Sequence, residues 1–268
     1  MVCYHSNMSR LNALPVTFMA LSGFLLFALE YKLAGYGTLA VSLISAYFVD
    51  RTLLRDLSLV SIGVFIISLA PINPSVETKN VLAMGPALVA AIAFPYLISR
   101  YLYKNRVVEF PFHFREPWTR NKWAYLTFVL VASFLLLPWY LITSGAYLNW
   151  PAADTTDTIL RLFVGTNVVG IWDELFFICI VLGVFRRHLP FWQANVLQAV
   201  IFTSFLYELG FTSFGPLLTL PFALAQGYVF KRSGNLFYVI CVHLLLDFIL
   251  FLTLIHAHNR EFFPIFLY

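Results

Sequence analysis

The sequence predicts an all-α fold: a polytopic transmembrane helical bundle of about nine spans, with the N-terminus cytoplasmic and the C-terminus outside. Composition is the first observation behind this. Of 268 residues, 60% are hydrophobic and only 11% are charged, where soluble domains carry roughly a quarter. Distribution is the second, since nine spans of roughly 20 residues would use about 180 of the 268 and leave only short connections, with no room for a separate soluble domain. Sidedness of positive charge is the third. A net charge of +4 and a pI of about 9.0 would suggest nucleic acid in a soluble protein; beside membrane spans, Lys and Arg are orientation signals instead. Membrane lipids are the expected partners, and no nucleic acid is.

The first span is read over 13–34. Its apolar stretch Leu14 to Ala28 follows Arg10 and imitates a secretory signal, but no small-residue cleavage site precedes Glu30, Tyr31 and Lys32. Shorter spans follow at 37–50 and 57–73, then a fourth at 80–99. Between Arg100 and Lys122 lies the longest connection, with six Lys or Arg together with Pro111, Pro117 and Trp118 and the adjoining Trp123. That composition suits a cytoplasmic loop against anionic headgroups. The remaining spans are read at 122–143, 157–185, 191–209, 214–231 and 236–258. All are helical, because lipid offers the backbone amides no other partner. Gly165 and Gly170 are expected to let the sixth span pack closely.

Alternate assignment of the connections gives thirteen basic residues on one side: Arg10, Arg51, Arg55, Arg100, Lys104, Arg106, Arg115, Arg120, Lys122, Arg186, Arg187, Lys231 and Arg232. Only Lys32, Lys79, Arg161 and Arg260 fall on the other. A wrong span count would scramble this alternation. The chain then divides into scaffold spans with the basic loop, 1–121, and a core carrying the buried charge, 122–268. Cys3, Cys179 and Cys241 are too scattered for a disulfide framework and read as packing residues. Trp118, Trp123, Trp139, Trp150 and Trp192 fall near span ends as an aromatic belt, whereas Trp172 reads as a cavity wall. His256 and His258 point apart on a helix and read as interfacial.

Four acidic residues stand in apolar runs: Asp173, Glu174, Glu208 and Asp247. Such groups cost a few kcal/mol in hydrocarbon and usually line a functional interior. His243 precedes Asp247 by four residues, which puts both on one helix face. Asp173 and Glu174 are about 100° apart around a helix, so one is expected to face a cavity and the other to bond a neighbouring helix. Glu208 closes the seventh span before Gly210 and also suits a solvated end. These groups permit carboxylate activation of water with oxyanion support. Oxygen ligands with one imidazole also suit a divalent metal, and the same set suits a proton relay.

The order of the motifs adds a resemblance. Asp173-Glu174-Leu175-Phe176-Phe177-Ile178 followed by Arg186-Arg187, Gln198-Ala199-Val200-Ile201-Phe202, and Leu220 to Leu236 running into His243 and Asp247 resemble the CPBP family of intramembrane proteases, with its type II CAAX prenyl endopeptidases and bacterial Abi proteins. The family shows Glu-Glu-x-x-x-Arg, Phe-x-x-x-His and His-x-x-x-Asn or Asp. The resemblance implies an intramembrane endopeptidase, with Asp173 as the base, Glu174 its partner, and His243 with Asp247 on the oxyanion side. Here Asp173 replaces the first Glu, Ile178 the Arg, and Leu206 the His, with Glu208 the nearest ionisable group that could stand in. The candidate site is therefore Asp173, Glu174, Glu208, His243 and Asp247. It implies a membrane-embedded or lipidated peptide as substrate, or as partner of a non-catalytic relative, and by analogy a bacterial inner membrane.

Overall fold

The computed structural model describes residues 2–261 and 264–267, with side chains from Leu11 onward, so the side chains of Cys3 and Arg10 lie outside what it describes. In chain order the helices are α1 (Val2–Gly23), continued by a π-helical turn Phe24–Ala28; α2 (Lys32–Val49); α3 (Arg51–Ser68); and α4 (Thr78–Leu97), continued by a π-helical turn Ile98–Leu102. Then come α5 (Arg120–Ser144); α6 (Thr156–Asp173), which runs through a π-helical stretch Glu174–Leu182 into α7 (Gly183–His188); α8 (Phe191–Glu208); α9 (Pro216–Ser233); and α10 (Leu236–His258). With α6 and α7 counted as one rod, nine rods occupy the nine expected places among the described residues.

Among the described residues six rods are long and apolar enough to cross a membrane: Leu11–Ala28, Lys32–Val49, Thr78–Leu102, Arg120–Ser144, Thr156–His188 and Leu236–His258. This is an integral membrane protein. The other three, α3, α8 and α9, are just as helical but more polar, and the buried polar groups Asp56, Asn195, Gln198 and Gln226 on them face protein. Asn195 on α8 donates to Leu224 O on α9 at 2.9 Å, and Gln198 donates to Asn195 Oδ1 and Ala223 O at 3.1 Å each. Interior helices tolerate such residues because a neighbouring helix satisfies them. Helix starts follow local capping. Asp50 accepts from Leu53 N, which carries α3 back over the charged Arg51 to Asp56 turn that the 57–73 reading omitted. Thr155 and Thr158 form a reciprocal cap on α6, and Asn235 caps α10.

Hydrogen bonds define the two ends of the bundle. At one end Arg55 reaches Tyr103 O, Asn12 reaches His188 O and Leu236 N reaches Pro111 O. At the other end Lys32 reaches Ser68 O, Arg161 reaches Thr78 Oγ1 and Asn149 reaches Gly210 O. The 1–121 and 122–268 segments pack as one body. Trp172 Nε1 on α6 donates to Leu88 O on α4 at 2.7 Å, and fully buried Asp56 on α3 meets His188 Nε2 at 2.9 Å and Arg187 at 3.4 Å. An aromatic core that includes Phe27, Phe176, Phe177, Phe202 and Phe205 fills the centre, with Phe177 stacked on Phe202 at 4.5 Å.

Candidate active site

Three helices converge beside that core. Asp173 ends the α-helical part of α6, and the backbone then widens into the π-helical stretch that begins at Glu174. Widened turns of this kind re-aim side chains and recur at functional sites. His243 and Asp247 come from α10, one turn apart. From α9 comes Gln226, which the sequence reading did not promote; a lone glutamine set among apolar neighbours was the available signal.

The imidazole of His243 organises the cluster. Its Nδ1 lies 2.7 Å from Glu174 Oε1, and the same oxygen accepts from Gln226 Nε2 at 2.7 Å. Gln226 also reaches Val239 O at 3.3 Å, so it ties Glu174 to the α10 backbone. On the opposite edge, Nε2 stands 3.8 Å from Asp173 Oδ2 and 3.8 Å from Asp247 Oδ1. Those separations exceed a direct hydrogen bond, and all three residues border the same cavity, from which one small polar molecule can reach the ring and the carboxylates. Asp173 Oδ1 and Asp247 Oδ2 are buried and have no protein partner. Phe222 lies edge-on to the imidazole at 5.0 Å and Phe202 stands 6.0 Å away, which fixes the ring from its sides.

Asp173, His243 and Asp247 line a cavity of about 190 Å³ whose walls also include Leu88, Thr166 and Phe222. Glu174 is fully buried and outside that lining. The two adjacent carboxylates therefore divide as expected, one to the cavity and one to neighbouring helices, yet they serve the two nitrogens of one ring. Gly170 makes the arrangement possible, because a Cβ there would collide with the Asp247 carboxylate. Gly165 differs from expectation: it borders the cavity, and a Cβ there would meet nothing within 4 Å.

Glu208 is not brought to this cluster. Its charged neighbours are Lys32 and Glu30, at the end of the bundle where the α1–α2 turn folds over α8. Helix α8 stays regular through Glu208, so no local shift swings that carboxylate inward. Leu206 is the α8 residue that lines the cavity, at the place where the resemblance expects a histidine. Trp172 is not in the lining either; it stacks on Phe176 at 5.0 Å while it clamps α6 to α4. Trp150, read as belt, is instead buried against the cavity, whereas Trp123 and Trp192 are exposed. His256, read as interfacial, is buried, with its ring 5.5 Å from Phe266. Among the described residues, no group of three His, Cys, Asp or Glu is arranged to hold a metal ion. The Asp56–His188–Arg187 cluster at the other end was also missed, because in sequence it reads as ordinary charge beside a span.

A family model described as type II CAAX prenyl endopeptidase Rce1-like matches residues 155–249, roughly a third of the chain, from the cap of α6 to the middle of α10. That is a family of proteases, and the match spans all five members of the convergent cluster: Asp173, Glu174, Gln226, His243 and Asp247. No curated protein and no solved structure matches the chain.

Proposed function

We propose that this protein is an intramembrane endopeptidase of the CPBP type that uses His243 to activate water inside the cavity. The observation that carries the reading is the short Glu174–His243 contact with the far edge of the ring turned toward the cavity. Glu174 accepts a hydrogen bond from Nδ1–H, as Gln226 holds the carboxylate in place, and this leaves the Nε2 lone pair facing Asp173 and Asp247. A carboxylate that fixes a histidine tautomer is the same device that orients the base of other hydrolases. The role of Glu174 shifts accordingly, from partner of Asp173 to positioning residue for His243.

In the proposed step, water sits in the cavity within reach of Nε2 and the two aspartates. Nε2 takes one proton from the water, Asp173 accepts a hydrogen bond from the other, and the oxygen attacks the peptide carbonyl carbon. Asp247 in its acid form donates a hydrogen bond to the oxygen that gains negative charge. The imidazolium then passes its proton to the leaving nitrogen as the C–N bond breaks, and Asp247 keeps its own. Surrounding Phe and Leu side chains exclude bulk water, which strengthens each of these interactions. An apolar cavity with a few convergent polar groups suits a membrane-embedded or lipidated peptide.

The test is cleavage of quenched-fluorescence lipidated peptides by purified protein in proteoliposomes. His243→Ala is expected to lower turnover by about 10²–10⁴-fold, the contribution of a positioned general base. Glu174→Gln is expected to act in the same direction but less, and to change the pH–rate profile, because it alters the tautomer rather than the base. Unchanged cleavage in both variants would falsify the assignment. Peptide binding without cleavage in the wild-type protein would instead favour a non-catalytic binder.

A further inference from the structure

The cavity is not centred in the bundle. Beyond the Asp173–His243–Asp247 cluster its walls come from Asn73 to Val76 between α3 and α4, from Asn80 and Met84 at the start of α4, and from Arg161, Leu162, Gly165 and Thr166 at the start of α6. Phe211 after α8 and Leu218 at the start of α9 complete that end. All of these belong to the end of the bundle marked by the Lys32–Ser68 and Arg161–Thr78 contacts.

The other end is closed. Below the cluster, Phe177, Ile178 and Val181 are fully buried. The 103–119 connection is strapped across the start of α10: Leu236 N bonds Pro111 O at 2.9 Å, and Asn235 donates to His113 O at 2.9 Å and to Glu116 Oε2 at 2.8 Å. The Tyr238 hydroxyl donates to Lys122 O at 2.7 Å. Positive charge follows the same polarity. With Arg10 left out, twelve Lys and Arg stand at the strapped end and four at the cavity end. Twelve against four is the asymmetry that retains the strapped end in the cytoplasm.

We infer that the site takes its substrate from the non-cytoplasmic face, so its substrate is a membrane-anchored polypeptide whose cleavable segment stands on the exoplasmic side of the bilayer, not a cytoplasmic tail. The substrate part of this rests on the peptidase reading; the side of access does not. A bond presented from the cytoplasm would have to cross the buried Phe177 layer and the strap to reach Nε2. From the opposite face it meets the 73–76 connection and the Arg161 guanidinium and then descends an apolar wall to the carboxylates.

Single-cysteine variants in a background of Cys3→Ser, Cys179→Ala and Cys241→Ser test this, with a charged, membrane-impermeant methanethiosulfonate as the probe. Lys79→Cys reports the cavity end, Arg115→Cys the strap, and Gly165→Cys the cavity wall, where a side chain has free space. In right-side-out vesicles, Lys79→Cys and Gly165→Cys are expected to react at once and Arg115→Cys only after permeabilisation. Reaction of Gly165→Cys from the cytoplasmic side alone, or from neither side, overturns the inference, as does the reverse pattern at Lys79 and Arg115. Wild-type right-side-out vesicles are expected to cleave externally added peptide, and sealed inverted vesicles to cleave it only after permeabilisation; preference for the inverted vesicles overturns the inference. Correct labelling with no cleavage in any vesicle upholds the side of access and removes the peptidase reading instead.

Discussion

A methyl group added to Gly170 and one added to Gly165 meet opposite surroundings on the same helix. At Gly170 it collides with the Asp247 carboxylate and comes 3.3 Å from His243 Cδ2. Gly170→Ala is therefore expected to cost about 1–3 kcal/mol, as overpacking does, and to lower cleavage by displacing Asp247 from the imidazole. At Gly165 the methyl meets nothing within 4 Å, so Gly165→Ala is expected to be neutral or to stabilise by up to about 1 kcal/mol through helix propensity. Thermal unfolding in detergent, paired with a cleavage assay, separates the two; equal effects would sink the close-approach account of Gly170. In the sequence both glycines read as close-packing positions, because spacing along α6 does not record what stands opposite. His243 and Asp247 were legible for the complementary reason: charge in hydrocarbon needs a partner wherever it faces. Gln226 was not, since a single amide in an apolar helix carries little cost once bonded, and only the fold shows that its bond is to Glu174.

Between elements, the strap over α10 depends on one acidic side chain. The Glu116 carboxyl is held below its ordinary value of 4.5, first by the hydrogen bond from Lys122 and then by the one from Asn235, with His113 adding a smaller effect in the same direction. A lowered folded value means that the contribution is present above the ordinary glutamate value and is lost as pH falls through the folded one. Acidification below about pH 4.5 is thus expected to loosen the 103–119 connection, seen as faster hydrogen exchange at Phe112 to Glu116 and altered fluorescence of Trp118 and Trp123, whose rings are 4.9 Å apart. Glu116→Gln is expected to raise exchange at neutral pH and to flatten its acid dependence; a strap that stays acid-sensitive in that variant does not use Glu116. As elements, the helices were largely legible from apolar runs and punctuation. Less legible was α3, where Arg51, Arg55 and Asp56 look like a connection until the Asp50 cap and the buried Asp56–His188 pair are seen. Glu208 was the converse: its closeness in sequence to the expected histidine position suggested a shared site, but α8 turns Leu206, not Glu208, toward the cavity.

For the whole molecule, the sidedness of charge is readable in the sequence, but its consequence for function is not, because composition says nothing about which end of a bundle is hollow. The cavity of about 190 Å³ opens beside Gly85 and Gly165, where a Cβ on either glycine has no neighbour within 4 Å. The two glycines are on α4 and α6, the rods that Trp172 clamps together nearer the cluster. Filling this space should therefore block the path to the cluster without disturbing the clamp, the Glu174–His243 pair or the strap. Gly165→Trp is expected to keep the thermal stability of the wild type within about 1 kcal/mol, since an indole placed in open space displaces no packed side chain. It is also expected to depress cleavage of long peptides more than tenfold, mainly through KM, because the base and its carboxylates are intact and only access is narrowed. A short peptide with little bulk beyond the cleaved bond should suffer less than a lipidated one. If Gly165→Trp lowers kcat alone, or slows every substrate by the same factor, the substrate does not travel along this wall.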